Sequence, residues 1–275
     1  MRIRSRGLAT DLALIATRGS VRDRGDYLVA RTPDDPGYYY GNLLALPRAL
    51  APGELPERLA RFARELGDEP AIRHVTLCWD GVDGDLGAAD ELTAAGFELE
   101  RLAGMVATEL AAAPAPRDLE LRPLAPSELV RTVDLDPVMS GDAERHRQFL
   151  RRRAAWQRTL VTRGLAEFWG AFDRDALVAS LGVVRLDTRG RYQDVQTASS
   201  HRRRGIASAL VTAAGRSALA RGVDELVIMT APDSDAARLY ERLGFVVAEH
   251  TASACRKPPA ESLDGGASPA FSAPG

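Results

Sequence analysis

The stretch Arg202-Arg203-Arg204-Gly205-Ile206-Ala207 sets three cationic side chains, a glycine and a small residue directly before Ile206, Leu210, Val211, Ala214 and Ala218, which recur at helical spacing. Anion binding is the chemistry open to such a turn. The first backbone N–H groups of a helix lack intrahelical partners, and the helix dipole adds about half a positive charge at that end. A glycine lets the main chain approach a ligand, Ala207 adds little bulk, and the arginines add charge, so the turn suits a pyrophosphate.

The elements that must position this turn are legible around it. Residues 193–198 read as a strand that Ser199-Ser200-His201 ends, and Gly222 stands where a helix C-cap glycine belongs. Leu226-Val227-Ile228-Met229 is a continuous apolar run of strand length, as in a strand buried on both faces. Strand, helix and strand then form a parallel crossover. Asp233-Ser234-Asp235 offers N-cap side chains for a short helix through Ala236, Ala237, Leu239, Tyr240 and Leu243, which Gly244 stops before a strand from Phe245.

In this arrangement the chain resembles the GNAT superfamily of acyl-CoA N-acyltransferases. Arg202, Gly205 and Ala207 match the signature of Gln or Arg, two residues, Gly, one residue, then Gly or Ala. Asp233, Ala236, Leu239, Tyr240, Gly244 and Phe245 match the second mark, Asn-x-x-Ala-x-x-Leu-Tyr leading to Gly-Phe, with Asp233 where Asn is common. The likeness covers roughly residues 117–257.

The resemblance implies acetyl-CoA as acyl donor, with Thr197, Ala198 and Ser199 exposing strand backbone to pantetheine. It implies that Arg202, Arg203, Arg204, Gly205, Ile206 and Ala207 hold the pyrophosphate, that Asp233 belongs to the cofactor site, and that Tyr240 protonates the departing thiolate. Asp194 and Glu167 lie on strands that could line the cleft and are the candidate general bases, beside a water-mediated route. The implied reaction is N-acetyl transfer to a primary amine of a small molecule or peptide by direct attack on the thioester. The alternative is a non-catalytic acyl-CoA sensor or interaction protein.

The N-terminal half repeats the order. Residues 26–32 and 38–46 read as strands about a Pro-Asp-Asp-Pro-Gly turn. A helix over about 53–66 has Pro56 in its first turn and Leu55, Leu59, Phe62 and Leu66 on one face. A strand at 72–79, a short helix at 88–95 and a strand from Phe97 to about 110 follow, while residues 1–20 fit either a strand or a short helix. Glu91 to Gly96-Phe97 parallels Glu241 to Gly244-Phe245. The expected fold class is α/β, of the α+β mixed-sheet kind: two tandem GNAT-like domains, 1–112 and 117–257, each a mostly antiparallel mixed sheet flanked by helices, with a proline-stiffened linker at 113–116. In the first, Pro47 to Pro52 stands where the phosphate turn should be, and proline has no N–H to offer, so this domain is expected not to bind CoA.

The second domain opens with a strand at 119–124 and helices over about 126–138 and 142–163. The arginines of the last helix are read as a solvated side, with Phe149, Leu150, Ala154, Trp156 and Leu160 buried and no nucleic acid expected. A hairpin at 167–172 and 176–186 leads into the organising stretch, and the tail 258–275 is expected to be disordered.

The 275 residues, 45% hydrophobic and 27% charged with a net charge of −2, have the balance of a globular protein without a general pull toward nucleic acid or anionic membrane. No apolar run reaches the ~18 residues of a membrane span, and the start of the chain lacks a signal-peptide pattern. Cys78 and Cys255 lie far apart, which suits free thiols in a reducing, cytoplasmic setting. GxSxG and GxxxxGK[ST] are absent, the four histidines show no paired spacing, and Gly87 spoils a calcium-loop reading of Asp80 to Asp85, so no metal is expected.

Overall fold

The structure, a computed structural model, describes residues 1–135 and 143–258. The end of the helix expected at 126–138 and nearly all of the tail at 258–275 lie outside the described residues. The described chain divides into two compact units, one of residues 1–104 together with 248–258, the other of residues 105–247. The expected second domain, 117–257, therefore differs from the observed unit in its last strand, which lies in the first unit from Ala248 on.

The first unit contains α1 (Arg6–Ala16), β1 (Ser20–Asp23), β2 (Leu28–Arg31), β3 (Leu43–Leu46), α2 (Leu55–Leu66), β4 (Val75–Trp79), α3 (Ala89–Ala94), most of β5 (Glu98–Ala107) and most of β11 (Val246–Arg256). Its strands lie in the order β1-β2-β3-β4-β11-β5. β3 and β4 are parallel, with Leu44 beside Leu77, so α2 is a crossover; β11 runs antiparallel to β4, with Ser253 beside Cys78. Leu44, Leu66, Leu77, Trp79, Leu92 and Ala254 form the centre of its core.

Residues 1–20, left open between strand and helix, form α1. Its first turn is held by Ser5, whose Oγ accepts from the Leu8 N–H, and by the buried Glu249 carboxylate, which accepts from the N–H groups of Arg6 and Gly7. The expected strand from Tyr38 shortens to β3 because Tyr39–Gly41 winds into a 3₁₀ turn, around which the Asn42 side chain donates to the carbonyls of Asp35 and Tyr38. A side chain competing for backbone groups in this way favours a turn over a ladder.

The second unit contains β6 (Glu120–Pro123), a 3₁₀ segment (Pro126–Leu135), α4 (Ala143–Thr162), β7 (Ala166–Asp173), β8 (Ala176–Leu186), β9 (Arg189–Thr197), α5 (Ile206–Ala220), β10 (Glu225–Thr230) and α6 (Asp235–Arg242). β6 to β9 are successive antiparallel neighbours, and β10 joins β9 in parallel through the α5 crossover. This is the same strand, helix, parallel strand as β3, α2 and β4. Gly215 lets α5 approach the sheet: a Cβ there would stand 2.2 Å from the Tyr192 hydroxyl and 2.4 Å from Leu110. On the other face, Phe168 and Phe172 pack with Leu124 and Leu129, with Val161 of α4 against them.

Candidate active site

The basic turn adopts the geometry that anion binding asks for. Arg203 and Gly205 both have left-handed backbones, φ 60° and 78°, and Gly205 is the N-cap of α5 with no side chain capping the helix. A cap without a side chain leaves first-turn N–H groups available, and alternating backbone handedness makes such groups converge on an anion. Beside Gly205 the space is open, with no atom within 4 Å of where a Cβ would stand. Arg202, Arg203 and Arg204 are exposed, Ile206 is buried beneath the turn and Ala207 is half-buried. Two arginines have partners: Arg202 Nε donates to the Thr197 carbonyl at 3.3 Å and Arg204 pairs with Asp118. His201 is fixed as a turn residue, Nε2 3.3 Å from Asp173 and Nδ1 2.8 Å from Ser200 Oγ.

A wedge opens next to this turn. β10 pairs with β9 only at Glu225–Val227 against Arg189–Arg191, although β9 runs on to Thr197 and β10 to Thr230. Past Arg191 the two parallel strands part, at the carboxyl ends where α/β sheets receive ligands. Thr197 is the last residue of β9; the Ala198 N–H continues the ladder to the Val178 carbonyl at 2.8 Å, and Ser199 begins a 3₁₀ turn. The unpaired edge of β9 facing β10 begins upstream of this trio, at Tyr192.

Tyr240 stands on α6, whose cap is Ser234, Oγ accepting the Ala237 N–H at 3.0 Å. Asp233, exposed with φ 60°, precedes the cap and offers its carbonyl to Arg238. The Tyr240 ring is buried against Phe245, which in turn meets Tyr192 edge-on at 5.8 Å. Burial pushes the Tyr240 phenol above its ordinary range, so it carries its proton at neutral pH. Tyr192 spends its hydroxyl on the Val211 carbonyl at 2.7 Å.

The two candidate bases separate. Glu167 accepts from Trp169 Nε1 and Ser217 Oγ at 2.7 and 2.6 Å and pairs with Arg221 at 2.7 Å. Ser217 is in the last turn of α5, about 16 Å along the helix from its first turn. The structure thus keeps Glu167 away from the phosphate turn, bound into a structural network. Asp194 lies on the parted stretch of β9 with φ 51°, accepts from Gln157 Nε2 at 2.6 Å and pairs with Arg153 at 2.9 Å. The sequence reading missed both α4 partners. Their signal was present: Arg153 follows Phe149 by four residues and Gln157 follows Ala154 by three, which sets polar groups on the apolar stripe. Gln157 is buried and Trp156, expected there, is half-buried.

The counterpart turn before α2 is already occupied by the chain's own acids. The Ala51 N–H donates to Glu54 at 3.0 Å and the Gly53 N–H to Glu91 at 2.7 Å. Arg48 hydrogen-bonds Glu54 and holds its carboxyl down at about 2, so the acceptor at this turn is an ionised carboxylate of the chain itself. Among the described residues no group of three or more His, Cys, Asp or Glu is placed to hold a metal ion, and no helix is long and apolar enough to cross a membrane.

Residues 164–247 match the family model described as Acetyltransferase (GNAT) domain. The span takes in β7 to α6, the basic turn, the wedge and Tyr240 together. The chain carries a GNAT acetyltransferase domain. Its sequence matches no curated protein. Solved structures share the fold across nearly the whole length. A functionally unknown conserved protein from Staphylococcus epidermidis has TM-score 0.68 at 13% identity, covering 87% of this chain and 94% of its own. A GCN5-related N-acetyltransferase from Kribbella flavida has TM-score 0.65 at 17% identity, covering 96% and 99%. A tandem GNAT protein from the clavulanic acid biosynthesis pathway has TM-score 0.53 at 15% identity, covering 90% and 93%.

Proposed function

We propose that the second unit is an acetyl-CoA-dependent N-acetyltransferase that moves an acetyl group to a primary amine of a small molecule or peptide. The observation that carries this reading is the uncapped N-terminus of α5, entered through left-handed Arg203 and Gly205 at the mouth of the wedge between β9 and β10. A pyrophosphate fits there because the donors are backbone groups and the only side chain that would crowd them is absent at Gly205. Acetyl-CoA supplies the activated acyl group; residues 202–207 anchor it, with Thr197 to Ser199 and Asp233 at the margins.

In the transfer a C–N bond forms as the C–S bond breaks. Asp194 takes the proton that the attacking nitrogen sheds, and Tyr240 gives its phenolic proton to the leaving sulfur. The base role rests on Asp194 because it stands on the parted stretch of β9, whereas Glu167 is tied to Ser217 in the last turn of α5. The first unit has a non-catalytic part in this reading, and its acid-filled turn takes no CoA. Two free buried cysteines favour a reducing compartment, the cytoplasm.

The test is purified full-length chain with acetyl-CoA and a panel of primary amines, following free thiol and acetylated product. Amine-dependent thiol release is expected. Tight CoA binding with no thioester cleavage across the panel would replace this reading by that of an acyl-CoA sensor.

A further inference from the structure

One face of the second unit's sheet carries a buried polar cluster for which packing gives no reason. Phe168 is beside Gly182, which is beside Gln193; Gly170 is beside Ser180, which is beside Gln196. Cross-strand neighbours share a face, and Phe168 packs with Leu129 and Val161, so Gln193 and Gln196 point to the α4 side. Two residues three apart on one face require an extra residue between them. The register shift between Ser180 and Gly182 supplies it, and the left-handed Asp194 within that bulge is turned toward Arg153 and Gln157.

The result is a polar island beside an aromatic and aliphatic layer. Gln157, Ser180 and Gln193 are 1%, 2% and 5% exposed. Gln157 Oε1 and Gln196 Oε1 are buried with no hydrogen-bond partner. A buried carbonyl oxygen left without a donor has given up its hydration with nothing in exchange. Gln193 donates one amide N–H to the Tyr192 carbonyl and Gln157 one to Asp194, while the oxygens of Gln157 and Gln196 stand as unpaired acceptors.

We propose that this island seats the polar head of the acetyl acceptor, that Gln157 sets acceptor specificity, and that the acceptor is an amino alcohol or amino sugar. The inference rests on the N-acetyltransferase reading and narrows it. The amine meets Asp194, and a hydroxyl two or three bonds away donates to Gln157 Oε1 or Gln196 Oε1. Apolar alkylamines leave both oxygens unpaired. Arg153 already neutralises Asp194, so the island holds no surplus negative charge for the second ammonium of a diamine.

The test compares glucosamine and ethanolamine with n-butylamine, phenethylamine and putrescine as acceptors for the full-length chain, with acetyl-CoA affinity measured separately by calorimetry. The hydroxylated amines are expected to have at least about tenfold higher kcat/KM, the scale of one hydrogen bond. Gln157→Leu is expected to raise the KM of the better hydroxylated acceptor about tenfold while the KM of acetyl-CoA stays fixed. If that variant fails to fold, Gln196→Leu carries the same test. Equal or better turnover of the apolar amines, or an acceptor KM unmoved by the substitution, overturns the inference and leaves the acetyltransferase reading standing. Absent acetyl-CoA binding overturns both.

Discussion

Tyr240 and Phe245 lie ring against ring, 5.9 Å between centroids at 60°, across the Gly244 stop that ends α6. This packing uses the ring and leaves the hydroxyl aside, so the structural and chemical parts of Tyr240 separate in one substitution. Tyr240→Phe is expected to keep the fold and the Kd of acetyl-CoA while kcat falls by about a hundredfold or more, the usual scale of a general acid. Steady-state rates with calorimetry check this. Full turnover where chemistry limits the rate would leave Tyr240 as a core residue only.

Gly205→Glu places a carboxylate into the proposed anion site. The open space beside the residue accommodates the side chain, and the left-handed backbone costs about 1–2 kcal/mol for a non-glycine residue. The expected outcome is a folded protein by circular dichroism whose CoA affinity is lost by calorimetry. Retained affinity in a folded variant would remove the pyrophosphate from this turn.

The full-length chain is expected to bind one CoA per molecule, since Glu54 and Glu91 take the N–H groups of the first unit's turn. Calorimetric stoichiometry measures it directly. Two sites, or one site surviving in Gly205→Glu, would place CoA in the first unit.

His74 couples stability to acid. It is 2% exposed, its Nε2 lies 3.1 Å from the Asn42 carbonyl, and burial lowers its pKa from 6.5 to about 4. Between those values the unfolded chain binds a proton that the folded one refuses. The stabilisation is therefore full above about pH 6.5 and drains as pH falls toward 4. The expected loss between pH 7 and pH 5 is about 2 kcal/mol from this group. Urea unfolding at both values, for the wild type and His74→Phe, measures it. Parallel losses in the two proteins would assign the pH dependence elsewhere.

How far the sequence could be read follows from how local each signal is. The turn at 202–207, the Gly244-Phe245 stop and the matching Gly96-Phe97 stop each rest on residues within one helix of each other, and they locate α5, α6 and α3 within two residues. Asp194 was named as a candidate from its strand alone; its bulge depends on register with Leu181 and could not be seen. For Glu167 strand alternation leaves open which of two faces is the cleft side, and its partners Ser217 and Arg221 stand at the end of a helix about fifty residues later. The placement of the last strand in the first unit was beyond local pattern altogether. Nothing in Ala248 to Arg256 says whether its edge partner is β4 or a nearer strand.

That last strand has a bearing on how the protein is made. β4 is translated before the second unit, and its antiparallel neighbour, from Ser253 to Arg256, after it. Tandem proteins ordinarily complete their N-terminal part first; here the earlier unit has to wait through translation of the later one with a sheet edge open. Such an edge is a template for pairing with other chains, and the distant closure slows folding. The window for misassembly is thus set by the time taken to translate the second unit, and shielding by a chaperone would matter most for the first.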